Sequence, residues 1–275
     1  QEEIMSKVFN TTAVCIPEEH YMVNIAQRLQ EIKALVDDGK YFTINKARQY
    51  GKTTTLIALK RLLESEYYVV LMDFQTFGSA DFANENVFAL SFCHSFLRLF
   101  KKCKPTLNDD LKETLNDLKN HVDNRYDYFT LKPLFEGLGD ICQFSDKPIV
   151  LMIDEVDSAS NNQVFLDFLG QLRAQIRPDE EHKYNSPWNI AADFKIDMSF
   201  SKTEIAGMLQ EYEKDHHTGM NVDEIAILLY QHTSGYPFLV SRLCQIMDED
   251  IAINYDENGL KSVWTRQGFF TAVRM

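Results

Sequence analysis

With 275 residues, the chain is long enough for one large α/β domain, or for a core domain plus a small helical one. Hydrophobic residues make up 45% and charged residues 25%, a balance that excludes a disordered or fibrous chain. The formal net charge of −13 argues against a whole-surface grip on DNA or RNA, because an acidic surface repels phosphate backbones.

The chain opens on Gln1, and Met5 reads as a natural start, with the residues before it left over from upstream. Residues 8–20 read as extended and loop-like, punctuated by Pro17. Over 21–36 the apolar positions Val23, Ile25, Ala26, Leu29, Ile32 and Leu35 recur at helical spacing, and Gly39 ends the helix. Residues 41–44 form a short β-type run. A helix with Leu56, Ile57, Leu59, Leu62 and Leu63 as its apolar positions follows the segment 46–54. Residues 67–72 are apolar throughout, as in a parallel strand covered on both faces.

Three helices are expected next. The first covers 87–100. The second carries the stripe Leu107, Leu111, Leu115, Leu118, Val122, and the third carries Leu131, Leu134, Phe135, Leu138, Ile141. Such stripes are core rather than binding surface. The one dense basic run, 98–104, reads as the solvated end of the first of these helices, where cations are favoured. Residues 148–153 are a second buried strand, ending in Asp154-Glu155. Strands that alternate with helices imply a parallel sheet with right-handed crossovers. Beyond it come a helix over 165–174, a polar loop over 177–186, and an alternating run over 194–200 that reads as a strand. Ser201 and Glu204 form a capping box, and the pattern is mostly helical from there to the end. Residues 264–275 read as a helix cut off partway, so a piece of a longer protein is expected.

The five cysteines (Cys15, Cys93, Cys103, Cys142 and Cys244) are widely spaced, with no C-x-x-C pair. That fits reduced thiols in a cytoplasmic protein better than disulfides or a zinc site. No run of about 18 apolar residues is present, so no membrane span is expected. No basic-then-apolar signal pattern is seen at the N-terminus.

Strand, Gly-Lys-Thr, helix is the central signal. The segment Lys46-Ala47-Arg48-Gln49-Tyr50-Gly51-Lys52-Thr53-Thr54 follows the P-loop pattern G-x-x-x-x-G-K-[ST] except at its first position, where Lys46 replaces glycine. In this motif backbone N–H groups point at phosphates from the positive end of a helix. Gly51 would allow close approach, Lys52 would neutralise the β- and γ-phosphates, and the Thr53 hydroxyl would ligate magnesium. Gln49, Tyr50, Gly51, Lys52, Thr53 and Thr54 are thus the expected nucleotide contacts. Lys46 puts the geometry of the turn in question more than the lysine and hydroxyl roles. A chance tripeptide at a helix start is the plain alternative, and the flanking elements argue against it.

Five apolar residues followed by Asp154-Glu155 match a Walker B strand. Asp154 would hold magnesium together with Thr53, and Glu155 would polarise the attacking water. A strand ending in two solvated acids is the alternative. Asp157 reads as a loop acid or helix cap. Gly235-Tyr236-Pro237 breaks one helix and starts another, an ordinary helix–helix turn on physical grounds. The fold class expected is therefore α/β: a P-loop NTPase parallel sheet flanked by helices over 8–200, with a C-terminal helical, lid-type subdomain over 201–275.

Residues 43–54 resemble the Arg-x-x-Gly-Lys-Thr loop of bacterial AAA-like ATPases, close to the archaeal ATPase and STAND groups. Residues 8–17 look like that family's lead-in, which passes near the adenine, and the Walker B run is similar too. Gly235-Tyr236-Pro237 resembles the STAND-type Gly-x-Pro element, which makes Pro237 either a plain turn residue or a nucleotide sensor. Residues 185–191 also look familiar from bacterial AAA-like proteins, without a role attached. The resemblance implies adenine rather than guanine, and the guanine-reading Asn-Lys-x-Asp pattern is absent, since Asn45-Lys46-Ala47 is followed by Arg48. It also implies a further buried strand after the Walker B helix, lying between the Walker strands in the sheet and ending in a polar sensor residue. No apolar run supplies one near Ala174-Gln175, so about 25 residues are expected to be missing there. Arg173 and Arg177 are candidate arginine fingers, with plain surface arginine as the other reading.

Two functions follow. One is an ATPase using ATP and Mg2+, in which hydrolysis drives movement of the helical subdomain. The other is a slowly hydrolysing nucleotide-dependent switch in a larger protein. Relatives often carry a nuclease-like C-terminal domain, so the larger protein could be nuclease-linked. A protein partner or self-association is expected. Contact with nucleic acid through this domain is not.

Overall fold

The computed structural model describes residues 7–12, 14–103, 108–124, 128–159, 161–176, 194–251 and 263–275. The described residues form two compact units. One lies within Gln1–Glu31, Ile44–Thr55 and Phe194–Met275, the other within Ile32–Thr43 and Leu56–Asp193.

The second unit holds the sheet. Strand β1 (Tyr68–Asp73) pairs in parallel with β2 (Ile149–Asp154), in the register Tyr68↔Ile149 through Asp73↔Asp154. Between them run α3 (Glu85–Cys103), α4 (Asp109–Asn124) and α5 (Leu131–Phe144). Parallel strands need such a long crossover. In α3 the residues Phe88, Phe92, Phe96 and Phe100 recur every four positions and are all buried. In α4 the buried stripe is Leu111, Leu115, Leu118 and Val122, and Asn108 Oδ1 caps the helix by accepting from the Leu111 N–H at 2.8 Å. After β2 comes α6 (Gln163–Ile176), which adds Phe165 and Phe168 to the core. Phe74, Phe82, Phe88, Phe165 and Phe168 pack there as neighbouring rings, for example Phe74 and Phe165 with centroids 5.4 Å apart.

Helix α1 (Ala26–Asp37) starts five residues later than its apolar pattern suggests. The Asn24 side chain accepts from the Ala26 N–H at 2.9 Å and sets the start, while Tyr21 and Val23 are buried on irregular backbone before it. Gly39, at φ +64, ends α1 with its N–H donating to Val36 C=O, as expected of a C-terminal glycine.

The first unit is helical. Its elements are α7 (Lys202–His216), α8 (Val222–Thr233), α9 (Pro237–Gln245), a π-helical turn (Ile246–Ile251) and α10 (Arg266–Arg274). Ser201 caps α7 with the expected box: its hydroxyl accepts from the Glu204 N–H, and Glu204 accepts from the Ser201 N–H. Phe9 and Tyr21 from the lead-in pack with Tyr212 and Trp264 in this unit's core. The lead-in is tied by an isolated parallel bridge, Val8↔His20.

Two expected strands are not present. Residues 41–45 hold only an isolated bridge at Phe42, and residues 194–200 have no strand. A strand persists only where a neighbour satisfies its ladder. In 194–200 the backbone is used differently: Ser199 C=O accepts from buried Arg28, and the Phe200 N–H donates to Gly235 C=O at 2.7 Å. The sheet among the described residues is thus two-stranded, and the chain is mixed α/β but mostly helical. The segment near Ala174-Gln175 belongs to α6, and residues 177–193 lie outside the described residues, including Arg177, the polar loop and the 185–191 stretch. Among the described residues no helix is long and apolar enough to cross a membrane.

Candidate functional site

The P-loop segment belongs to the first unit. Its left-handed positions are Gln49 (φ +64) and Gly51 (φ +69), and Lys46 is not among them. The question raised by a lysine at the first glycine position is answered by geometry: the tight part of the turn lies at 49–51, and position 46 has no conformation that demands glycine. At Gly51 a Cβ would have open space, so conformation rather than crowding favours glycine. Helix α2 (Lys52–Leu63) starts directly after it, and Gly51 C=O accepts the first helical bond from the Thr55 N–H at 2.9 Å. The first-turn N–H groups of any helix point out along its axis, with the positive end of the dipole behind them.

Lys52 is half-buried and folds over the loop, its Nζ donating to Lys46 C=O at 3.0 Å. The lysine and the residue that opens the loop are thereby joined through the main chain, whatever side chain stands at 46. Thr53 is half-buried on the first turn of α2. Thr54 Oγ1 accepts from the Cys15 N–H at 3.3 Å, which fixes the lead-in beside the loop. Burial pushes the Cys15 thiol up, so it stays neutral there.

The α8–α9 turn meets the same loop. Ser234 and Gly235 are left-handed, Tyr236 is the N-cap of α9, and Pro237 is buried at its first position. The Tyr236 hydroxyl donates to Arg48 C=O at 2.9 Å, with Gln49 Oε1 a second acceptor at 3.3 Å. The Tyr50 and Tyr236 rings lie 4.8 Å apart, tilted by 40°.

The acidic residues belong to the second unit. Asp154 ends β2, half-buried, and its Oδ1 accepts from the Glu155 N–H at 3.0 Å. Glu155 is exposed and left-handed (φ +57, ψ +38), an uncommon conformation for a side-chain-bearing residue, and it opens the 3-10 turn Val156–Ser158. Asp157 is exposed within that turn. Asp73 ends β1 directly beside Asp154 and caps its own 3-10 turn through the Gln75 N–H. Among the described residues no group of three His, Cys, Asp or Glu side chains is placed to hold a metal ion. A P-loop magnesium does not need one, because substrate phosphates and water complete its shell.

The sequence-based residues therefore fall into two sets. Gln49, Tyr50, Gly51, Lys52, Thr53, Thr54 and Pro237 share one unit, and Asp154 and Glu155 lie in the other. The sequence motifs give no role to the Tyr236 hydroxyl, the Cys15 amide or Asp73. Asp73 had a signal, since an apolar strand ending in an acid resembles the one that ends in Asp154. The Tyr236 contact had none.

A family model described as an AAA-like domain matches residues 11–189. No curated protein and no solved structure matches the chain.

Proposed function

The chain belongs to the AAA-like domain family, and from that premise we propose that it binds ATP with magnesium and hydrolyses it. The observation that carries this reading is the loop itself: left-handed Gln49 and Gly51 lead straight into α2, with Lys52 folded across to Lys46. A phosphate site needs a tight turn that runs into a helix start, with a cationic side chain beside it, and this loop has those parts.

In this reading Gln49, Tyr50 and Gly51 supply backbone donors, and Lys52 moves from Lys46 C=O onto the β- and γ-phosphate oxygens. By the motifs they belong to, Thr53 and Asp154 would be the protein's contacts to magnesium, which would neutralise phosphate charge when bound. Glu155 orients and polarises the attacking water. Pro237 borders the base, as in the STAND-type element that it resembles, and Thr54 holds the lead-in in place. The core spans 8–200, with a P-loop sheet larger than the described pair of strands, and 201–275 acts as a lid-type subdomain. A cytoplasmic setting and a protein partner or self-association belong to the same reading.

A slowly hydrolysing switch is the second reading. It is favoured by the hydrogen bond from Tyr236 to the loop, which ties the α8–α9 turn directly to the nucleotide segment. Steady-state ATP turnover with magnesium, measured beside Lys52→Ala and Glu155→Gln, separates the two. Lys52→Ala is expected to lower ATP affinity roughly tenfold or more, because a charged hydrogen-bond partner is lost. Glu155→Gln is expected to keep binding and lose about a hundredfold in turnover. Binding without turnover in the parent selects the switch, and absence of binding refutes both.

A further inference from the structure

We propose that Tyr236 is a positioning residue for phosphate binding: its hydroxyl holds the Arg48–Gln49 peptide so that the Gln49 N–H faces the phosphate. The inference rests on the nucleotide-binding reading of the loop and adds to it the residue that sets one donor. The observations all lie within one compact unit.

In a trans peptide the C=O and the following N–H point in opposite directions across one rigid plane. Whatever fixes Arg48 C=O therefore fixes Gln49 N–H on the other side. Tyr236 fixes it with a 2.9 Å hydrogen bond from its hydroxyl. The same peptide leads into Gln49, whose φ of +64 a side-chain-bearing residue adopts only when its surroundings hold it there. Gln49 Oε1 at 3.3 Å from the hydroxyl and the Tyr50 ring against the Tyr236 ring add a second and third restraint on the crest of the loop.

Tyr236 itself is held firmly. Its neighbour Gly235 is buried at φ +73, and Gly235 C=O accepts from the Phe200 N–H at 2.7 Å. Its other neighbour, Pro237, is buried at the first position of α9 with its φ fixed by the ring. The Tyr236 N–H donates to Thr233 C=O at 3.0 Å. A rigid turn thus aims one hydroxyl at one outward carbonyl of the loop. Binding works in both directions: phosphate that orders the Gln49 N–H also strengthens the hold on α9, so occupancy of the loop is felt at the α8–α9 turn.

The test compares ADP and adenosine binding by calorimetry in the parent, Tyr236→Phe and Lys52→Ala. Tyr236→Phe keeps the ring against Tyr50 and removes only the hydroxyl. The expected result is about a fivefold loss of ADP affinity, the scale of one ordinary hydrogen bond, with adenosine affinity unchanged. Equal ADP binding by Tyr236→Phe and the parent, with Lys52→Ala weakened, overturns the proposal and leaves the nucleotide reading standing. An equal loss for ADP and adenosine also overturns it, because the hydroxyl would then act on the base or on folding. If the parent binds neither ligand, the nucleotide reading falls and this inference falls with it.

Discussion

Gly235→Ala should be among the most damaging single-methyl additions in the helical unit. A Cβ built at this position would lie 2.1 Å from the carbonyl oxygen of Phe200, and 3.0 Å from both its carbonyl carbon and its nitrogen. All three are backbone atoms, so no side chain can rotate away. Holding alanine at φ +73 costs about 1 kcal/mol. Relieving the overlap adds about 1–3 kcal/mol, as overpacking generally does. Shifting Phe200 also loosens its 2.7 Å bond to Gly235 C=O, worth about 1 kcal/mol. The expected total is about 3–5 kcal/mol, on the scale of those terms. Gly219→Ala is the control in the same unit: φ is +76 there, but a Cβ would meet nothing within 4 Å, so only the conformational cost of about 1 kcal/mol applies. Urea unfolding followed by Trp264 fluorescence in a Trp188→Phe background reads this unit, because Trp264 is buried in its core and the chain has only two tryptophans. Equal destabilisation by the two alanines would show that the Phe200 contact is not the rigid stop described.

Two further outcomes are expected. Burial pushes the Glu213 carboxyl up, but donors from the Thr218 hydroxyl and the N–H groups of Gly219, Thr218 and Met220 outweigh it and leave it below the usual carboxylate range. A depressed pKa stabilises the fold above the unfolded value of 4.5 and is lost as pH falls through the folded value. Glu213→Gln should therefore be less stable than the parent at pH 7, with the gap closing below about pH 4 in parallel urea titrations; a gap independent of pH refutes the assignment. Cys93, whose thiol burial and the Asp123 charge push up to about 12, and buried Cys244 should resist maleimide in the folded protein, while exposed Cys142 labels first. Peptide mass spectrometry checks the order, and early labelling of Cys93 contradicts the packing of α3.

The elements most legible in the sequence were those whose side chains alone decide them. Residues 68–72 and 149–153 are apolar throughout and lie in the parallel pair, and the four-residue spacing of phenylalanines in α3 specifies a buried helix face. Ser201 with Glu204, and Gly235 followed by Pro237, gave their caps through local chemistry. Residues 41–45 and 194–200 carried strand-like residues but not strand geometry, because a ladder depends on a neighbour that the residues themselves do not encode. In the candidate site the Gly-Lys-Thr step falls at the start of α2 and Asp154 at the end of β2, the places that residue type and spacing give them. Lys46 looked like a defect only because spacing cannot say which loop residue takes the left-handed turn; Gln49 takes it. Tyr236 was hidden because it reaches Arg48 across 188 residues of chain.

The interleaved make-up of the P-loop unit has a consequence for how the chain is synthesised. Phe9, Tyr21 and residues 44–55 leave the ribosome before residues 56–193, while Tyr212, Tyr236 and Trp264, their packing and hydrogen-bonding partners, leave after them. Residues 56–193 must be made in between, and they have a core of their own that can form without waiting. Contacts so far apart in sequence form slowly, because a long loop must close before they contribute anything. Translation that stops before residue 200 therefore leaves the aromatic lead-in uncovered and Arg48 C=O without its Tyr236 hydroxyl donor, so a truncated product should be aggregation-prone.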